Sequence, residues 1–401
     1  MVALLTRCLV AGLLLGAPAL AQDLAIHCGK VLTMNAQDEI HSPGLILVES
    51  GQISYVGPVK EVDDRFTDVN RPHAWAAPGL VDLHTHIHPG GGREINDMVR
   101  SVNPELRACA ALRPSNRSIQ KALAAGVTTL FGIPGSGTNI GGFGILYKTT
   151  SSVHFERGVI ERVGGMKVAQ DSNPERRAGN FAFGNTRASM SWTISNVCER
   201  ALGATNGRRL DPALRDLQRV MSRDLPVLIH TAGARGVTNT ARMWHNKYAT
   251  RCVISHGSFD GWKVAEVIAD WGVRVNHGPR VMDFYPSRNG RINGTAAEYA
   301  KAGVPDLSLT TDSSVIPQEE LFLQGTMSAR LGADSYQMLR AMTIHPAVTF
   351  GLDDRVGSLE VGKDADIVLY TADPLDPRTQ VVRVWIDGQS EYENPNVQER
   401  L

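Results

Sequence analysis

The chain of 401 residues balances 41 basic against 41 acidic side chains, with no block of like charge, which argues against nucleic acid or an anionic membrane as its main partner. Hydrophobic residues make up 42% of it, enough for a large core and a second, smaller unit. Its 5 cysteines are scattered, so they make no disulfide scaffold and their spacing fixes no pairing.

Residues 1–21 read as a cleaved secretory signal. Arg7 is followed by the apolar core Leu9–Leu15 and the small-residue end Ala19-Leu-Ala21. The uncharged stretch after Arg7 is about 15 residues, short of the roughly 20 that span a bilayer. The expectation is a soluble mature protein from Gln22, secreted or periplasmic, with no membrane span and with homo-oligomerisation left open. Residues 22–77 read as strands and turns, and residues 351–401 do the same around Ala365–Tyr370 and Val381–Gly388. The two ends are expected to pair into a small β-sandwich.

Between residues 78 and 350 one grammar repeats: an amphipathic helix ends in glycine and an apolar strand follows, as at Ala125-Gly126-Val127, Trp271-Gly272-Val273 and Ala302-Gly303-Val304. The strands read as ending near His84, Phe131, Lys148, Lys167, His230, His256, His277 and Asp312. Eight strands alternating with helices over about 270 residues fit a (β/α)₈ barrel of the α/β class, which gathers strand ends on one face.

That face collects metal-ligand side chains. His84 and His86 close the run Pro78–Leu83, and in a strand residues i and i+2 point the same way, so both imidazoles can reach one ion. His230 and His256 close two later apolar runs and Asp312 a third. Imidazole suits zinc and similar ions. His88 continues the alternation into the loop Pro89–Gly92, His277 ends the seventh strand, and Asn139 lies in a glycine-rich segment; all three are candidate substrate contacts. That segment is no dinucleotide cradle, because it lacks the Gly-x-Gly-x-x-Gly spacing. Between Gln170 and Leu225 a long connection carries Arg176, Arg177, Arg187, Met190 and Trp192, and its arginines suit a substrate carboxylate as well as plain surface charge.

Ala77-Pro-Gly-Leu-Val-Asp-Leu-His-Thr-His86, His230, His256, Thr310-Thr-Asp312 and Gly357-Ser-Leu-Glu-Val-Gly-Lys-Asp-Ala-Asp-Ile-Val-Leu369 together resemble the metal-dependent amidohydrolase superfamily. Pro134–Gly142 and Met166–Pro174 resemble its imidazolonepropionase-like and Xaa-Pro dipeptidase-like branch. The resemblance implies that His84 and His86 hold a more buried metal and His230 and His256 a second, with Asp312 binding metal and moving protons. It implies one or two Zn²⁺ or other divalent ions, and a carbamylated lysine bridge at the end of strand four. Lys167 occupies that place; Lys148, at the end of strand three, competes for it.

The function expected is hydrolysis of a C–N amide-type bond in a cyclic amide, an N-acyl amino acid or a dipeptide. A mononuclear deaminase or chlorohydrolase acting on a heteroaromatic ring is the first alternative; such enzymes usually place a glutamate after the strand-five histidine, and here the text is His230-Thr-Ala-Gly-Ala-Arg235. The second alternative is a non-catalytic exported ligand-binding protein.

Overall fold

A computed structural model describes residues 22–92, 95–175, 184–203, 211–284 and 290–397; the expected leader, Arg176 and Arg177 lie outside them. Eight strands form the central sheet: β1 (Leu80–Thr85), β2 (Val127–Gly132), β3 (Ile140–Lys148), β4 (Val159–Ala169), β5 (Pro226–Thr231), β6 (Arg251–His256), β7 (Arg274–His277) and β8 (Ser308–Leu309). They pair in sequence order from β1 to β8. The ends nearly meet: His86 N donates to Ser313 O at 2.6 Å, and Thr85 bridges Ser313 in parallel. β1, β2, β3 and β5 are buried throughout and β6 and β7 in all but their first residue, as strands covered on both faces must be, whereas β4 is buried only from Gly164 onward.

The glycine punctuation acts as caps. Gly126, Gly272 and Gly303 take φ of +81°, +70° and +79°, left-handed values that turn each helix back toward the sheet. Ahead of β2, the helix Arg117–Ala124 starts at Asn116, whose side chain accepts from the amides of Ser118 and Ile119, and buries Ile119, Ala122 and Leu123.

One strand departs from the expected barrel. β3 runs antiparallel to both β2 and β4, so the eight strands do not alternate evenly with helices. The reason is length. Residues 133–139 make a connection well short of the dozen or so residues that a parallel crossover needs. Reversal puts the start of β3, with Asn139, at the face where the parallel strands end, and sends Lys148 to the opposite face.

Lys148 is therefore no competitor for the metal bridge. Its Nζ is buried against Asp364 Oδ2 (2.8 Å), Asp366 Oδ1 (3.0 Å) and Asp387 Oδ1 (2.5 Å). Burial opposes its charge, but the three carboxylates outweigh burial and hold the ammonium above its ordinary pKa. All three acids belong to the flanking sheet or its turns, so this cluster fastens that sheet to the far end of the barrel.

The flanking strands pair in the order Gln389–Glu393, Val381–Ile386, Ile367–Tyr370, Thr67–Pro78, Leu24–Leu32, Gly44–Glu49 and Gln52–Pro58, with Ile40–His41 added to Leu24–Leu32. Both chain ends contribute. The pairing gives one continuous eight-stranded sheet. Thr67–Pro78 runs on into β1, and Ile26, Ile46, Ile367 and Trp385 sit in the core of this unit.

Replacing Lys148 by methionine leaves the buried Asp366 without its cation, while Asp387 keeps Arg157 and Asp364 keeps Arg355. The expected cost is about 3–5 kcal/mol of unfolding free energy, the usual penalty for removing one partner of a buried ion pair, read by chemical denaturation. Metal content should stay at the wild-type level, because the lysine lies at the far face.

Candidate metal centre

Each candidate ligand stands at or just past the end of a parallel strand. His84 is fully buried on β1 and His86 follows two residues later on the same side. Their Nε2 atoms each lie 3.2 Å from Asp312 Oδ1, which the closure of β1 against the segment after β8 brings opposite them. Lys167 on β4 is also fully buried, and its Nζ lies 2.8 Å from His84 Nε2. The rings of His256 and His84 have centroids 4.6 Å apart, and those of His230 and His256 4.5 Å. Four imidazoles, one amine and one carboxylate thus share one pocket at the barrel's open end.

Hydrogen bonds behind the rings set which nitrogen faces the pocket. His86 Nδ1 donates to Ile133 O (2.9 Å) and His256 Nδ1 to Gly278 O (2.7 Å), which leaves both Nε2 lone pairs for a cation. His84 Nδ1 meets Ser255 Oγ at 2.5 Å. Among the described residues His256 Nε2 and His230 Nδ1 are buried without a hydrogen-bond partner, an arrangement that is costly unless something binds them. Backbone strain accompanies the ligands: His256 and Asp312 have φ of +75° and +50°, values uncommon for residues other than glycine.

Electrostatics prepares the same residues. Burial holds His84, His230 and His256 below the ordinary imidazole pKa, so all three are neutral ligands. Burial by itself would raise the Asp312 carboxyl, but the His84 and His256 imidazoles outweigh it and hold it far below the usual range. Burial also pushes the Lys167 amine down to about 7. Neutral imidazoles, an ionised carboxylate and orphaned buried nitrogens fit a divalent cation. His84, His86 and Asp312 alone already offer three ligand atoms within 4.8 Å of one another.

The other candidates behave differently. His277 is buried with both ring nitrogens engaged, Nδ1 donating to His256 O (2.7 Å) and Nε2 meeting Thr295 Oγ1 (2.7 Å), so it braces the backbone of His256. His88 is fully buried, and among the described residues its ring nitrogens lack a partner; it packs against Gly132 of β2, where a side chain would strike the His88 Cβ at 2.9 Å. It lines a cavity of about 450 Å³ with Asn96, Asp97 and Arg107. Asn139 donates to Gly184 O at 3.1 Å and so holds the connection after β4. In that connection Arg187 is bound by Asp171 (2.6 Å) and Glu175 (2.7 Å), Met190 is buried and Trp192 is exposed.

Sequence reasoning missed the supporting groups. Asp82, fully buried between the apolar residues of β1, accepts from Thr310 Oγ1 (2.6 Å), Thr311 N (3.0 Å), Thr311 Oγ1 (2.8 Å), Gln318 Nε2 (2.7 Å) and His84 N (2.9 Å). Its signal was present: a charge in the middle of a continuous apolar strand. Ser255 and Thr295 gave none, because a single hydroxyl in or beside a strand is commonplace. Ser255→Ala removes the group that orients His84 and should weaken metal affinity about 10–100-fold, as loss of such a support usually does, measured by competition with a chromogenic chelator.

A sequence profile of the Amidohydrolase family matches residues 211–390. The amidohydrolase tasK of Hapsidospora irregularis is 25% identical over 95% of this chain, which spans 44% of that protein's length. The imidazolonepropionase of Maricaulis maris is 22% identical, covering 87% of this chain and 92% of its own. Among solved structures, an amidohydrolase from Thermotoga maritima superposes with a TM-score of 0.84 at 27% identity, over 92% of this chain and 100% of its own. With the strand-end histidines and the aspartate converging as described, the chain is similar to metal-dependent amidohydrolases over most of its length.

Proposed function

We propose that the protein hydrolyses an amide-type C–N bond, in a cyclic amide, an N-acyl amino acid or a dipeptide, with water activated at this centre. The observation that carries the reading is the convergence of neutral imidazoles, Lys167 and ionised Asp312 on one buried point. A bound divalent ion, zinc foremost, supplies Lewis acidity: it polarises the scissile carbonyl and brings the pKa of water toward about 7. His84, His86 and Asp312 would hold one ion, and His230 and His256 would offer ligands for a second.

The Asp312 carboxylate accepts the proton of the attacking water and returns it to the leaving nitrogen. Its position beside both His84 and His86 keeps the basic oxygen at the reacting centre. Lys167, with its amine pushed down to about 7, is substantially neutral near pH 7 and is nucleophilic in that form. Attack of Nζ on carbon dioxide forms an N–C bond and releases a proton, leaving an anionic carbamate suited to bridge two cations. The reading includes export, with residues 1–21 as the leader; the N-terminus of protein recovered from the cell exterior tests that part.

Asp312→Asn keeps the shape and one oxygen but removes the base. kcat should fall about 10²–10⁴-fold, the usual contribution of a positioned general base, with metal largely retained. A base acts only when deprotonated, so activity is lost as pH falls through its pKa. The wild-type acid limb should therefore lie below the ordinary aspartate value of about 3.9 and disappear in the variant. A variant with wild-type kcat and pH profile would assign the proton to another group.

Lys167→Ala should lose the second ion, and short carboxylic acids should partly restore it by replacing the missing anion. The readout is metal content with and without added acetate or propionate. Unchanged metal content in the variant would remove the bridge.

A further inference from the structure

The connections after β6, β7 and β8 leave the strand ends beside His256, His277 and Asp312. After β7 the chain forms a two-stranded antiparallel ribbon, Met282–Phe284 against Ile292–Gly294. Both feet of the ribbon are fixed in the site. Gly278 O accepts from His256 Nδ1 (2.7 Å), while Thr295 donates its amide to Val281 O (3.0 Å) and sets its hydroxyl 2.7 Å from His277 Nε2.

This ribbon is built inside out. Successive residues of a strand point to opposite faces, and a ribbon meeting only water turns its polar residues outward. Here Asp283 is the buried residue, accepting from Trp262 Nε1 at 3.1 Å. Its neighbours Met282 and Phe284 are 43% and 49% exposed, and Ile292, paired with Phe284, is 57% exposed. Phe259, in the connection after β6, is 43% exposed at a φ of +58°, a conformation disfavoured for a bulky residue, with the Arg280 guanidinium over its ring. Val315, three residues past Asp312, is 66% exposed. Scattered exposed apolar residues need no explanation, but these five belong to connections that follow three consecutive ligand-face strands.

We propose that Phe259, Met282, Phe284, Ile292 and Val315 form an apolar wall at the barrel mouth that receives a large apolar group of the substrate, an acyl chain or an apolar side chain, next to the amide being cut. The proposal rests on the C–N hydrolase reading of the metal centre. Placement favours the substrate as occupant over a lipid surface or a second chain, because the ribbon's feet are hydrogen-bonded to two of the site's histidines and the other two residues follow the flanking strands.

The test measures kcat/KM of the zinc-loaded protein on paired substrates: N-decanoyl against N-acetyl amino acids, and dipeptides with an N-terminal leucine or phenylalanine against glycine. The apolar member should be preferred at least about tenfold, the scale on which apolar pockets discriminate. In the triple variant Met282→Ser/Phe284→Ser/Ile292→Ser the ratio should fall toward one. Val361→Ser, at an exposed apolar residue in a turn of the flanking sheet, should keep the wild-type ratio. An unchanged melting midpoint in the triple variant separates lost recognition from unfolding.

Equal efficiency on both members of each pair overturns the apolar wall and leaves the hydrolase reading standing. If no amide is cut, the hydrolase reading fails, and calorimetric binding of decanoate against acetate decides the wall separately. There the wall predicts about tenfold tighter decanoate binding that the triple variant loses, and equal binding overturns it. Self-association or binding to phosphatidylcholine vesicles that the triple variant abolishes also overturns it, assigning the ribbon to a second chain or to lipid.

Discussion

The centre depends on one closure: the segment after β8 is drawn against β1 by the buried carboxylate of Asp82. Its two oxygens take the hydroxyls of Thr310 and Thr311, the Thr311 amide, the Gln318 amide group and the amide of His84. Burying a carboxylate is costly and raises its pKa, and only such a dense set of donors offsets that cost. The same contacts fix where Asp312 stands, two residues after Thr310, so its oxygen reaches both His84 and His86. The group that makes the site possible is therefore not one of the groups that would touch the metal.

Burial then does two opposite things within a few ångströms. It lowers the pKa of the imidazoles and of the Lys167 amine, and it opposes the charge on Asp312, which contact with the His84, His256 and His86 rings nevertheless pulls below the usual carboxylate range. A pocket of neutral nitrogens around a single anion is poorly balanced by itself, as the unpartnered His230 Nδ1 and His256 Nε2 show. A divalent cation supplies the missing charge and the missing partners together. Fold likeness alone does not choose the substrate, and the side chains at the mouth carry that choice.

Much of this was legible in the sequence because parallel strands end where their ligands begin. The apolar runs before His84, His230 and His256, and the run before Asp312, located the strand ends, and glycine caps marked the returns. What could not be read were the consequences of direction and of tertiary contact. The short Ile133–Asn139 segment reverses β3, and that carries Lys148 away from the centre to three aspartates, two of them in the Lys363-Asp-Ala-Asp366 segment that also carried the family resemblance. Alternation along β1 brought in His88 as a candidate substrate contact; past the strand end it packs against Gly132 and lines a cavity with Asn96 and Arg107. Arg187, a candidate for substrate, is bound by two acids of its own connection. Asp82, Ser255 and Thr295 act through partners far away in the chain, and no local pattern announces such pairings.

The proposed role of this constellation is to bind metal. Elemental analysis of protein purified without chelators tests it. The expected result is about one to two equivalents of divalent ion per chain, zinc foremost, removed by a strong chelator together with activity and reduced in His256→Ala. Fully active protein with no bound metal would contradict it.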